Sequence, residues 1–262
     1  MCSVNSTNTT QLLHEELRSL SKTLGGPLLA LDTSVAEGSL ATVLLDGYSV
    51  EEQTLDAHTM PSETIVTALD TVLTANNRRV HEFAAMVVGL GPGSFTGLRV
   101  ALATIKGLAF GSQIPVYGIS SLALMAAGVP SEEPKTRWVA PILDARHGQL
   151  FSALYQIAPN GQATVVLDDA VRTPLECKKA FTDCHKEGLT IVGCTASAYA
   201  DFSALSFATF IPTPTPRAAT GLITLRSRLL SKKGDTLDSL IPRYLQVSEA
   251  ERQQRTGGQH PQ

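Results

Sequence analysis

The sequence predicts an α/β protein built from two similar lobes. Three observations carry this: short apolar runs alternate with helical stretches, one order of elements occurs twice, and 43% of the 262 residues are apolar, enough for a sizeable core.

Taken in order, the opening Met1 to Gly25 is polar apart from Leu12, Leu13, Leu17, Leu20 and Leu24. Their spacing of three and four marks one face of a short helix over Gln11 to Lys22. From Pro27 the period shortens. Leu28 to Asp32 reads as a strand, Ser39 to Leu45 as a second, and Asp46-Gly47 as a hairpin turn into a third, Tyr48 to Leu55. A helix follows from Pro61 to Ala75, with proline in its first turn, Glu63 near its positive end, and an inward stripe of Ile65, Leu69, Val72 and Leu73. The strand Ala84 to Val88 and a helix from Thr96 to Gly111 come next.

The second half repeats the order. Strands are expected over Val139 to Asp144 and Gln149 to Ile157, then a turn at Pro159-Asn160-Gly161 and a strand near Thr164 to Leu167. A helix from Pro174 to His185 and a strand Leu189 to Val192 complete it. Individual positions align as well: Leu31-Asp32 with Leu143-Asp144, and Val87-Val88-Gly89 with Ile191-Val192-Gly193. This is the pattern of an internal duplication. Two such lobes facing each other describe the actin, sugar-kinase and Hsp70-like (ASKHA) architecture, which hosts many activities and establishes none of them. The expected division is an N-terminal extension over 1–26, a first lobe over 27–118, a second over 119–247 whose last helix packs back on the first, and a polar, disordered tail over 248–262.

With 21 basic and 24 acidic side chains the net charge is −3, so nothing general draws the chain to nucleic acid or to an anionic membrane. Four cysteines, Cys2, Cys177, Cys184 and Cys194, are too sparse for a disulfide framework and contain no Cys-x-x-Cys pair, which fits a reducing cytoplasm; Cys177, Cys184 and Cys194 read as small buried side chains. No apolar run is long enough for a membrane span, and the opening lacks the apolar core of a secretory signal. The six histidines, His14, His58, His81, His147, His185 and His260, include no pair three or four apart, so no helical face offers a metal two of them.

The segment Gly89-Leu90-Gly91-Pro92-Gly93-Ser94-Phe95-Thr96-Gly97 follows a strand and opens a helix, where free backbone N–H groups favour anions. It lacks the Gly-Lys-Ser/Thr of a P-loop, puts Thr96 where a dinucleotide fingerprint needs glycine, and does not frame Ser94 as a nucleophile elbow. Neither Ser94 nor Thr96 has a motif-placed base, and Thr96 reads as the helix N-cap. The following helix is apolar nearly all round, with Arg99 and Lys106 its only charges and Ala103, Gly107 and Gly111 recurring every four residues. Such small residues permit close approach, either by a partner helix or by this chain's own neighbours.

The string Gly91-Pro92-Gly93-Ser94-Phe95-Thr96-Gly97-Leu98-Arg99 closely resembles the TsaB family. The likeness extends to Leu31-Asp32-Thr33-Ser34, Ile114-Pro115-Val116, Ser120-Ser121-Leu122, Asp144-Ala145-Arg146 and Pro242-Arg243-Tyr244-Leu245, spanning about Pro27 to Leu245. The resemblance implies a non-catalytic subunit that pairs with TsaD, its metal-bearing paralogue, and is acted on by the ATPase TsaE, in threonylcarbamoyl transfer to adenosine 37 of tRNAs reading codons that begin with A. It implies no metal or cofactor of its own, leaves a nucleotide at the partner interface open, and makes tRNA an indirect partner. It places the interface on helices 61–75 and 96–111, through Ile65, Leu69, Val72, Ala103, Lys106, Gly107 and Gly111; exposed apolar helices seek cover, so a homodimer through the same helices is open to the chain when alone. Asp32, Thr33 and Ser34 stand where enzymes of this fold hold phosphate-bound magnesium, as a vestigial site or a simple turn cap. Asp144, Arg146 and His147 read as turn and interface residues, on the expectation that neighbours on an extended segment face opposite ways. Two other classes remain: a stand-alone ATPase or phosphotransferase of this fold, and a metallopeptidase-like protein, which the missing histidine pair disfavours.

Overall fold

Leu28–Asp32 (β1) is apolar on both faces and buried along its length, which suits the centre of a sheet covered on both sides. In the computed structural model β1 pairs antiparallel with Ser39–Val43 (β2) and parallel with Ala85–Gly89 (β4). Val50–Thr54 (β3) and Val116–Ile119 (β5) complete a five-stranded sheet of order β3-β2-β1-β4-β5. The second sheet comprises Arg137–Asp144 (β6), Leu150–Ile157 (β7), Ala163–Arg172 (β8), Leu189–Val192 (β9) and Ala208–Ile211 (β10), in order β10-β9-β6-β7-β8. Antiparallel and parallel pairings fall at the same places in both. The repeated order in the sequence is therefore a repeated topology, and two such sheets give the ASKHA fold. The structure describes residues 5–44, 49–56, 61–129, 135–184, 188–193, 202, 205–206, 208–211 and 216–246. The Asp46-Gly47 turn, His58, His185, Cys2, Cys194, His260 and the tail lie outside them.

Helices cover both sheets. Pro61–Ala75 (α2) and Phe95–Ser112 (α3) lie on one face of the first sheet, where Ile65, Leu69, Val72, Leu102 and Ile105 bury against Leu29, Leu31, Met86 and Val88. The opposite faces of β1 and β4, bearing Leu28, Ala30 and Val87, look toward the second lobe. Between the lobes lie Ser121–Ala127 (α4) and Ala218–Thr224 (α6), followed by Arg226–Leu230 (α7), in a core that also takes Ala153 and Tyr155 from β7. Pro174–Cys184 (α5) closes the far side, with Cys177 and Phe181 on Ile142 and Leu154.

Several expectations shift. Asn5–Leu24 (α1) is longer than Gln11 to Lys22, and its inward face is Leu13, Leu17, Leu20 and Leu24, with Leu12 58% exposed. Strand β8 runs well past Leu167, because Asp169 turns inward to hydrogen-bonding partners instead of breaking the strand.

Candidate functional site

Asp32 ends β1 wholly buried. Its Oδ1 accepts from the Ser34 amide at 2.9 Å and the Ser34 hydroxyl at 2.6 Å, while Oδ2 accepts from the Ser121 hydroxyl. Burial pushes its pKa up against the pull of these three donors. Gly89 faces it so closely that a Cβ there would lie 1.8 Å from Oδ2. Asp32, Thr33 and Ser34 are all buried, and the carboxylate is engaged as the cap of a turn.

The glycine-rich turn wraps over that same strand end. Ser94 N donates to the Ser34 carbonyl at 2.6 Å, and Gly91 exchanges two bonds with Ser121, one through the hydroxyl. A Cβ at Gly93 would stand 2.1 Å from the Ser34 carbonyl oxygen, and one at Gly97 2.2 Å from that of Thr33. These glycines admit the chain's own backbone. The N-cap of α3 is Ser94 and not Thr96: the Ser94 hydroxyl accepts from Gly97 N at 3.2 Å, whereas Thr96 lies exposed one residue inside the helix.

The exposed side of α3 differs in character. Phe95, Arg99, Ala103, Gly107 and Gly111 follow one another at four-residue steps and are all exposed, with Lys106 half-buried beside them and Phe110 75% exposed. A Cβ at Gly107 or Gly111 would meet nothing within 4 Å, so their smallness serves no packing among the described residues. The three large residues expected on this surface, Ile65, Leu69 and Val72, point the other way into the core, since the periodicity that marks them is that of the inward stripe of α2. Val66 is the exposed apolar residue of α2 instead.

At its N-terminal end this face gains a neighbour that spacing did not reveal. Tyr244 stacks on Phe95 with centroids 4.7 Å apart, and its hydroxyl accepts from Arg99 Nε at 2.8 Å. Only the string Pro242-Arg243-Tyr244-Leu245 hinted that this region matters. Asp144 and Arg146 form a turn, the Arg146 amide donating to Asp144 Oδ1 at 2.7 Å; Arg146, His147 and Gly148 are all left-handed, not extended. Cys177 is buried, which pushes its thiol pKa up, and Cys184 is half-buried. No group of three His, Cys, Asp or Glu among the described residues is placed to hold a metal ion, and no described helix is long and apolar enough to cross a membrane.

Residues 54–209 match the family model described as TsaD: tRNA N6-adenosine threonylcarbamoyltransferase. The tRNA threonylcarbamoyladenosine biosynthesis protein TsaB of Escherichia coli (strain K12) is 36% identical over 139 residues, 51% of this chain and 57% of that protein. The chain belongs to the TsaB branch of this family. The TsaB protein of Bacillus subtilis (strain 168) is 34% identical over 147 residues, 56% of each chain. The chain thus spans a little over half the length of the TsaB relatives it matches. In fold it is similar to a crystal structure of an uncharacterized protein with similarity to peptidase YEAZ from Pseudomonas aeruginosa, with TM-score 0.70 and 23% identity over 84% of this chain and all of that one. The TsaB likeness and the exposed α3 face concern the same helix, since the string that carries the resemblance caps and opens it.

Proposed function

We propose that the chain is the accessory, non-catalytic subunit of a tRNA threonylcarbamoyladenosine-forming assembly, and that it docks on TsaD through the exposed face of α3 and the adjoining edge of α2. TsaD supplies the chemistry of transfer to adenosine 37, TsaE acts on the pair, and tRNA meets this chain only through the complex. The observation that carries this is the exposed run Ala103, Gly107, Gly111, whose two glycines face open space among the described residues. Glycine inside a helix costs about 1 kcal/mol relative to alanine. Nothing packed within the described residues offsets that cost, and a partner helix laid against this face would. The enclosed Asp32 adds support: its oxygens are occupied by Ser34 and Ser121, which disfavours a phosphate-held magnesium there and hence the stand-alone ATPase reading.

Light scattering on the chain with and without TsaD of the same organism tests this. A one-to-one complex is expected. Gly107→Leu should abolish it while raising the thermal stability of the lone chain slightly, by up to about 1 kcal/mol, because leucine is the better helix former and its Cβ meets nothing within 4 Å. Absence of a complex with or without nucleotide, or steady ATP turnover by the chain alone, overturns the reading. A lone chain that runs as a dimer, and stays one with Gly107→Leu, moves the self-association elsewhere.

A further inference from the structure

Arg99 stands out on the α3 face because it is held from behind and unused in front. Its guanidinium carbon lies 4.0 Å from the Phe95 ring centroid and 5.8 Å from that of Tyr244. The two rings stack, and the Tyr244 hydroxyl takes the Nε hydrogen. These contacts occupy the π face and one of the five N–H donors. Among the described residues the two terminal nitrogens meet no acceptor. Tyr244 is itself fixed, because the preceding Arg243 donates its amide to the Leu90 carbonyl at 2.7 Å and its side chain to Asp169 at 3.0 Å. An arginine normally surrenders much rotamer freedom when it binds; here the rings and the hydroxyl have already fixed it.

A pre-set planar fork of N–H donors fits a carboxylate or a phosphate. Local charge favours an anion as well, since α3 contains no Asp or Glu and Arg99 sits near its positive pole. The surroundings choose between the two sources. Arg99 opens a stripe that continues through Ala103, Gly107 and Gly111, with Phe110 of the same helix and Val66 of α2 also exposed and Lys106 the only other charge on α3. That is the make-up of a protein interface core, in which aromatic and arginine anchors sit among apolar contacts. A phosphate-binding face would be ringed by cations, and this chain carries a net charge of −3. We infer that Arg99, clamped by Phe95 and Tyr244, is the polar anchor of the partner surface and receives an Asp or Glu carboxylate of the protein that docks on α3. The inference rests on the reading of that face as a docking surface. It adds a segment remote in sequence, Arg243-Tyr244, to the machinery that recognises the partner.

The affinity for TsaD should be measured by titration calorimetry at two salt concentrations for the unsubstituted chain, Arg99→Ala, Arg99→Lys and Tyr244→Phe. Thermal melts of each variant keep folding apart from binding. Arg99→Ala should weaken pairing roughly 30-fold and remove most of its salt dependence. Arg99→Lys keeps the charge without the fork and should recover only part of the loss. Tyr244→Phe preserves the ring stack, removes only the hydroxyl that holds Nε, and should weaken pairing several-fold with an unchanged melt. If Arg99→Ala and Tyr244→Phe bind TsaD as tightly as the unsubstituted chain, the anchor is overturned while the docking surface stands. If they keep TsaD but the pair loses tRNA, the anion is a phosphate and the inference is wrong. Failure of the unsubstituted chain to bind TsaD overturns both.

Discussion

Asp32 shows how one buried carboxylate shapes its surroundings. Wholly enclosed, it draws the Ser34 amide and two hydroxyls to itself and leaves room opposite for nothing larger than Gly89. Desolvation outweighs the donors and raises its pKa in the folded state. The folded chain therefore binds this proton more tightly than the unfolded chain does. The resulting stability is complete below the ordinary carboxylate pKa and fades as pH rises through the raised one. Asp32→Asn keeps the shape without the charge; its changed bond to Ser121 carries a cost that does not vary with pH. Relative to the unsubstituted chain, the variant should gain stability as pH rises from about 4 to about 8. Urea unfolding at both ends of that range measures the gap, and a gap constant with pH would mean that burial does not perturb this group.

At the scale of elements, periodicity located most of the framework and failed where its signal was short or interrupted. Strands β1 and β6 are legible as apolar runs, and the four-residue β9 through its match to β4; β5 and β10, equally short, have no such match. Helices α4 and α6 are buried on every side, so they carry no amphipathic stripe. In the site, the small-residue spacing of α3 was visible because it is local. The clasp of Arg99 by Tyr244 was not, since 145 residues separate them. The cap was misassigned because both Ser94 and Thr96 are capping residues, and only the backbone entering over the Ser34 carbonyl selects the first. Helix α1 lies outside the family resemblance, yet Leu17 and Leu20 are wholly buried in the core shared by the lobes, and the Ser21 hydroxyl donates to the Gly26 carbonyl at 2.8 Å. Leu17→Ala should accordingly cost about 3 kcal/mol, read as a lowered urea midpoint. An unchanged midpoint would make α1 an appendage rather than part of the fold.

Across the whole molecule, the lobes are braced on two sides. On one, Glu52 of β3 accepts from Arg217, from the Ala219 amide and from Ser39, fastening the start of α6 to the first sheet. On the other, Asp169 of β8 gathers the Tyr155 hydroxyl, Ser120 at 2.6 Å and Arg243. Burial first, and the neighbouring Asp169 charge second, raise the Tyr155 pKa, so the phenol stays a donor. Each partner comes from a different place: Ser120 caps α4, Tyr155 lies on the second sheet, and the Arg243 amide reaches Leu90 at the mouth of the glycine-rich turn. The segment from Arg243 to Gln246 thus crosses from one lobe to the other, ending where Gln246 meets Gln149 at 3.0 Å. Such bracing suits a chain that presents one fixed surface to a partner more than one that opens and closes on a substrate. Asp169→Ala should destabilise by roughly 3 kcal/mol, because it strips two buried hydroxyls and an arginine of their acceptor. Hydrogen exchange gives the sharper test. If the brace is real, amides from Leu90 through the first turn of α3 will exchange faster along with those around β8, although the substitution touches none of them. Acceleration confined to the second sheet would mean that Arg243 merely rests on Asp169, and that the exposed face of α3 is held by its own lobe alone.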